Sequence, residues 1–571
     1  MSVVLVLPAF LVLTFLPLVR GWADRRDGWN RWAASPWVYG IVGALLLIGC
    51  RLPAILFPNM LNTDEYQALA RAIKYTVDII PWRGVDGVTA GPLHSWVLTV
   101  PIFLGAPATE AMARTVAVFL EIGLLLYLYL ICRFALSGAW TRVVLLPLVL
   151  YLSQATHADI VHYSSEHLPG FMMAAGVYYG LLAREREWGR GGALYLCGLF
   201  LGGLPFTKLQ VAPAAVVIWV VFAAAVLWDC GLVKSVRPLG ALLIGGLSVA
   251  LIIFSMLVVG NVVGDFWQSY LQMGDRYSWK VEAKGRSYTP WESIVGDRYF
   301  AWWFLTSLAL AMALPLMGAL VSRPRVRAAV RFRYFLFLTL FVVTYGTVVA
   351  PGLVFFHYLY FFFLPVPLLQ AEGLGIAIGC VKKGDWFWRG KRWVGILVAT
   401  TASFFMTAPM LDSLLRGAFR HPYDVESPHP FVFSETVARF EEENAIIGAA
   451  AAEIGKWVEP GSPITVWGWS PELYVKTGTW HATRDSSTEL TFFERANRDY
   501  YVERFMTDLK TVRPLVFVDA TSPVSFMYSE RERFGHEMLP ELEAYIRDHY
   551  EFRQEIGPEG NGIRIYTLRE S

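Results

Sequence analysis

Over the first 411 residues the apolar positions gather into long runs, with little alternation with polar ones inside each run. Apolar stretches of about 17–25 residues, the length a helix needs to cross a bilayer, fall at 2–19, 37–57, 112–134, 139–155, 168–183, 192–208, 211–228, 238–260, 300–321, 334–350, 354–380 and 393–411. They predict about 12 transmembrane helices. The first run has no basic leader and no small-x-small cleavage site, so it reads as a retained span. From about residue 412 the pattern changes. Apolar runs shorten to strand length in "PITVWGW", "PLVFVDA" and "GIRIYTL", separated by stretches of helical spacing at 433–457 and 490–510. The expected organisation is a transmembrane domain, 1–411, followed by a soluble α/β domain, 412–571.

Composition agrees with this class. Hydrophobic residues make up 55% of the chain and charged residues 17%, a balance that fits a polytopic α-helical membrane protein. The net charge of +2 hides a strong spatial bias. "RGWADRRDGWNR", "REREWGRG", "DCGLVKSVRP", "SRPRVRAAVRFR" and "VKKGDWFWRGKR" alternate with loops richer in aromatics, histidine and acids. The basic set is expected on the cytoplasmic side, which places both termini and the tail outside. The five cysteines lie in or beside apolar runs without CxxC pairing, so neither a disulfide frame nor a zinc ribbon is expected. No basic patch suited to nucleic acid is present.

On the outer side this threading leaves three loops, 58–111, 156–167 and 261–299. The first carries "NTDEYQALARAIKY", with Asp64 and Glu65 side by side behind Thr63, an expected helix cap. Residues 66–77 then read as an amphipathic helix on the membrane surface, followed by a re-entrant piece. The second loop, "THADIVHYSSEHLPGF", holds Asp159, His162, Tyr163, Glu166 and His167. At helical spacing His162 and Glu166 share a face, as do Tyr163 and His167, so metal binding is open. Lys208 in "GGLPFTKLQVAP" is either an interfacial anchor or a phosphate ligand. His357 and Tyr358 stand in an aromatic belt before a late span, and Arg114 opens the third span. Two deeper acids, Glu121 and Glu372, keep a transporter or flippase for a lipid-linked saccharide as the rival reading; a non-catalytic scaffold docking through its tail is another.

Taken in order, these motifs resemble the GT-C glycosyltransferases. The motifs are a "DE" pair after an early span, "AMAR" opening the next, Glu166 with Pro169 three residues on, "TK" at Thr207 and Lys208, and an aromatic "HY" before a late span. The pattern is most similar to bacterial relatives of protein O-mannosyltransferase and of the lipid A aminoarabinose transferase. "VWGWSPELYVKTG" and "DLKTVRP" look like the outer domain of bacterial members. Two positions depart from the pattern: the second-loop acid is often Asp and here is Glu166, and the late motif often begins with Arg and here begins with His357.

The resemblance implies a GT-C-like fold and an inverting transferase that takes a sugar from a polyprenyl-phosphate donor. It implies Asp64 as general base and Glu65 as its orienting or acceptor-binding neighbour. Lys208 and Arg114 would neutralise the donor phosphate. Glu166, His167, His162, Tyr163, His357 and Tyr358 would contact sugar or acceptor, with Glu166, His162 and His167 as candidate ligands of a divalent metal ion. The implied acceptor is a glycolipid, polysaccharide or protein. The implied setting is the bacterial inner membrane, with the active site and tail facing the periplasm.

Overall fold

The computed structural model of the protein describes residues 2–19, 35–56, 62–155, 157–189, 191–272, 289–321, 328–352, 354–382, 434–493 and 497–570. Among them, five helical stretches are long and apolar enough to cross a membrane: Pro36–Leu56, Glu110–Cys132, Leu209–Gly260, Ala329–Val349 and Phe356–Ile378. The run at 139–155 forms the helix Gly138–Gln154, and that at 168–183 forms His167–Glu185. The run at 192–208 is helical only over Gly191–Gly203 and then tightens into 3-10 turns at Leu204–Phe206 and Leu209–Val211. Pro205, which has no N–H to donate, sits in the first of these turns. The runs at 211–228 and 238–260 belong to one element, Ala212–Gly260, broken at Gly231, whose φ of 72° suits a residue without a side chain. The expected span 393–411 and the start of the tail lie outside the described residues.

Charges inside the bundle are paired, because an unpaired charge there is costly. Arg51 holds Glu121 at 3.1 Å, and Arg333 holds Glu372 at 2.9 Å. The two acids that kept the transporter reading open are therefore each engaged by a guanidinium from another helix.

Loop 58–111 departs from expectation. Its first half is a helix, Thr63–Val77, but every residue from Glu65 to Ala72 is buried, so the helix does not lie open on a membrane surface. The cover comes from the tail. Ala70 packs in one core with Leu473, Tyr474 and Val516, Gln67 donates to Ser487 Oγ at 2.8 Å, and Lys74 stacks on the Trp480 ring. A single sequence cannot show that the polar face of an amphipathic helix will meet another protein surface instead of water.

The tail contains a five-stranded sheet in the order β2-β1-β3-β5-β4. β1 (Pro463–Trp467) pairs in parallel with β2 (Trp480–His481) and β3 (Val516–Asp519); β5 (Ile563–Leu568) runs antiparallel to β3 and to β4 (Tyr550–Ile556). β1, β3 and β5 fall on the three short apolar runs. β4 was not anticipated: its interior is mostly charged and exposed, as suits an edge strand. On β3, Val516 and Val518 join a core with Ile447, Ala450 and Ile454, while Phe517 faces Phe505, Leu509 and Leu542. That alternation is the two-residue period of a strand covered on both faces.

A salt-bridge cluster fixes the tail to the membrane part. Arg504 reaches Asp86 at 2.7 Å and Asp485 at 2.6 Å, all three buried. Arg484 spans Asp508 at 3.0 Å and Asp265 at 3.3 Å, and its carbonyl accepts from Asp86 N. Truncating Arg504 leaves two carboxylates buried without their cation, so Arg504→Met should destabilise the protein by about 3–5 kcal/mol, measured by thermal unfolding in detergent.

Glu472, also buried at this junction, accepts a hydrogen bond from Thr63. Burial pushes its carboxyl up to about 7, against the smaller opposing pull of Thr63 and Lys476. The folded state then holds a proton that the unfolded chain has lost, so stability falls as pH rises from the ordinary carboxylate range through about 7. Between about pH 5 and 8 the melting temperature should decline, and Glu472→Gln should flatten the decline. An unchanged slope in the variant would place the titrating group elsewhere.

Candidate active site

The Asp64 helix begins at Asn62, whose extended backbone lets its side chain accept from Asp64 N at 3.1 Å and Glu65 N at 3.4 Å. Asn62 is therefore the cap, and the expected cap, Thr63, instead serves Glu472. Successive helical residues point about 100° apart, and this separates the acidic pair. Asp64 is exposed and lines a cavity, whereas Glu65 is fully buried.

Glu65 meets Arg114 side-on, with guanidinium–carboxylate distances of 2.9–3.3 Å. Tyr163 N donates to it at 3.0 Å, and His162 Nδ1 lies 3.7 Å away. Arg114 also donates to Ala54 O at 2.6 Å. Neither Glu65 nor Arg114 is among the residues lining the cavity. The structure thus puts Arg114, expected at the donor phosphate, against a buried carboxylate and outside the cavity lining.

The loop at 156–167 also divides its residues. Asp159 lines the cavity and accepts from both N and Nδ1 of His357, each at 3.2 Å. Burial raises the Asp159 carboxyl, but the His357 charge and hydrogen bonds outweigh it and hold the group well below the usual range. Tyr163 donates to His94 O at 2.5 Å, and His167 turns to Ser164 and to Glu121, 3.6 Å away. His162, Tyr163 and His167 do not line the cavity. The candidate metal set Glu166, His162 and His167 is therefore not assembled, since the three side chains serve three different partners.

Glu166 does line the cavity, ion-paired with Lys208, whose Nζ also donates to Ser165 Oγ at 2.8 Å. Burial pushes the Glu166 carboxyl up, but Lys208, aided by His357, brings it down to about 2. Lys208 Nζ stands 4.5 Å from the centre of the Tyr358 ring, a cation–π distance. The backbone places this lysine by pairing with the first loop: Ala90 bridges Lys208, Gly91 N donates to Thr207 O, and Leu209 N donates to Thr89 O. A Cβ at Gly91 would lie 2.2 Å from Phe206 O, so only glycine permits this approach.

The cavity encloses about 260 Å³. Asp64, Glu166, Lys208, His357 and Tyr358 line it together with Arg71, which sequence reasoning did not single out. Arg71 is buried, feels Glu489, Asp86 and Asp64, and its Nε has no hydrogen-bond partner among the described residues. It lies seven residues after Asp64, two helical turns along the same face, which is the signal that could have found it. Trp469, Glu489, Phe526 and Met527 of the tail close the cavity from above the bundle. Nothing in the sequence joins these positions to Asp64.

Among the described residues, the one group of three or more acids, histidines and cysteines arranged to hold a metal is Asp519, His536 and Glu537 in the tail. Its donors suit a divalent ion, but Arg531 lies 2.8 Å from Asp519 and 3.3 Å from Glu537 and already supplies positive charge there. The group does not line the cavity.

No protein-family model and no curated protein matches the chain by sequence. Its structure is similar to that of ArnT from Cupriavidus metallidurans in the apo state, with a TM-score of 0.50 over 94% of this chain and 98% of that one, at 14% identity. The chain shares the fold of that ArnT structure. ArnT bound to undecaprenyl phosphate gives a TM-score of 0.48 at 14% identity, over 91% of this chain and 97% of that one. The archaeal oligosaccharyltransferase AglB from Archaeoglobus fulgidus, in complex with an inhibitory peptide and a dolichol-phosphate, gives 0.48 at 12% identity, over 95% of this chain and 75% of that one. At these identities the likeness concerns the fold, and residue roles rest on the geometry above.

The two members of the acidic pair should therefore fail differently. Glu65→Gln and Arg114→Gln should each cost about 3–5 kcal/mol of stability, whereas Asp64→Asn should stay within about 0.5 kcal/mol of the parent, all read from thermal unfolding. A well-folded Arg114→Gln protein would contradict the structural role.

Proposed function

We propose that the protein transfers a sugar from a polyprenyl-phosphate donor to an acceptor hydroxyl, with inversion, in the cavity bounded by Asp64, Arg71 and Lys208. The observation that carries this reading is one exposed carboxylate in the same small cavity as two buried cations, at the end of the bundle where the tail docks. The charges match the reaction. An acceptor hydroxyl needs a base for its proton, and a departing phosphate is a stable anion that needs neutralisation more than a proton.

In this mechanism the acceptor oxygen attacks the anomeric carbon as the bond from that carbon to the phosphate oxygen breaks. The electron pair leaves with the polyprenyl phosphate, and the hydroxyl proton passes to Asp64. A single displacement of this kind inverts the anomeric centre. Lys208 and Arg71 stabilise the phosphate, and Glu166 and Ser165 hold the Lys208 ammonium in place. The Asp159–His357 pair and Tyr358 bound the donor headgroup. Trp469 and Phe526, edge to face at 4.9 Å, offer an aromatic wall to a sugar ring from the tail side. The isoprenoid lies outside the cavity, against apolar helix faces. Transport is the weaker reading, because Glu121 and Glu372 are already paired.

The test is transfer from a synthetic polyprenyl-phosphate sugar by purified protein. Asp64→Asn should lower kcat by about 10²–10⁴-fold with donor binding nearly unchanged; retained turnover would remove Asp64 as base. Lys208→Ala and Arg71→Gln should each weaken donor binding by tenfold or more, about 1.4 kcal/mol or more. Unaltered donor affinity in both would move the phosphate elsewhere.

A further inference from the structure

A second cavity, of about 530 Å³, opens at the opposite end of the bundle. It lies where Glu110–Cys132 ends, Gly138–Gln154 begins and His167–Glu185 approaches its end, next to Pro36 at the start of another helix. All four helices have their other ends near the candidate active site, so the two cavities are separated by the length of the bundle. Helix ends of this kind lie at the level of lipid headgroups.

Its walls have two characters. Leu130, Phe134 and Leu182 form an apolar side, while Arg133, Arg142, Tyr129 and Tyr178 supply polar groups. Among the described residues that line it, none is acidic. Arg142 is buried and donates to Leu13 O and Ser35 O, which fixes its charge in the wall. Arg133 is exposed, and its one hydrogen bond among the described residues goes to Leu136 O. Gly138 shows how the polar groups converge. A Cβ there would lie 3.3 Å from Tyr129 Oη and 3.4 Å from Arg133 Nη1, so both donors face the space that glycine leaves open. Beside the cavity Trp37 is 75% exposed and Leu126 46%, a surface that suits acyl chains and the interfacial zone.

We propose that this cavity binds the headgroup phosphate of an anionic glycerophospholipid, with Arg133 and Tyr129 as ligands and the acyl chains lying against Leu130, Phe134 and Leu182. Charge complementarity selects the occupant: the exposed Arg133 guanidinium beside Tyr129 Oη, with no acid among the described lining residues, favours a lipid whose headgroup keeps its net negative charge over a zwitterionic one. The joined apolar wall selects a lipid over a soluble phosphate.

The test uses the full chain, exchanged into an equimolar mixture of phosphatidylglycerol and phosphatidylcholine and read by native mass spectrometry. Phosphatidylglycerol should be retained about fivefold over phosphatidylcholine, as expected for one charge near a membrane surface. Arg133→Gln should lose that preference, and Arg133→Lys should keep it. Because Arg133 is exposed, the variant is expected to fold; Gly138→Leu, which fills the cradle without removing a charge, should lose the preference independently. Equal retention of both lipids by the parent would overturn the proposal, as would a preference that survives both Arg133→Gln and Gly138→Leu. Displacement of the bound lipid by soluble glycerol phosphate would overturn it in favour of a free phosphate site.

Discussion

A carboxylate that is fully buried at the mouth of a helical bundle survives only if its charge is matched on the spot. Glu65 is matched by Arg114, and much of the architecture at this end of the bundle depends on that one pair. Arg114 ties the start of its own helix to Ala54, near the end of Pro36–Leu56, while Glu65 accepts from the backbone at Tyr163 in the second loop. Four segments therefore meet at two side chains. With Glu65 turned inward, the helix displays its neighbour Asp64 toward the cavity. The adjacent acids in "DE" thus serve different purposes, one holding the fold and the other available for chemistry.

The same logic operates at Lys208. A buried ammonium needs a counter-charge, and Glu166 supplies it without leaving the cavity wall. Placement is then set by backbone, since strand-like pairing with residues 89–91 fixes where the lysine can reach. Among the described residues no acid is ion-paired with Arg71, which feels Glu489, Asp86 and Asp64 at longer range. The site thus contains one cation already balanced and another whose field extends into the open space. An arriving anion meets both.

Much of this was legible in the sequence. Apolar runs located the helices because a bilayer-spanning helix has few alternatives for its backbone polar groups. Short apolar runs located three strands of the tail, and the motif order brought Asp64, Glu166, Lys208, His357 and Tyr358 forward. What sequence alone could not distinguish was the direction in which each charged side chain points. Arg114, His162, Tyr163 and His167 lie near the cavity but do not line it, a matter of tens of degrees around a helix or turn. Trp469, Glu489, Phe526 and Met527 were out of reach for another reason: they join the cavity only through tertiary docking across some four hundred residues of chain. Burial of the Asp64 helix depended on the same docking.

The salt bridge between Arg504 and Asp86 has a mechanical side. From Asp86 the chain runs to Ala90, which is paired to Lys208, and a chain segment this short spans little more than a dozen ångströms even fully drawn out. It has almost no slack. The tail is thereby connected to the ammonium in the cavity by a stiff linkage, so that the position of a domain packed outside the bundle sets the position of a charge within it.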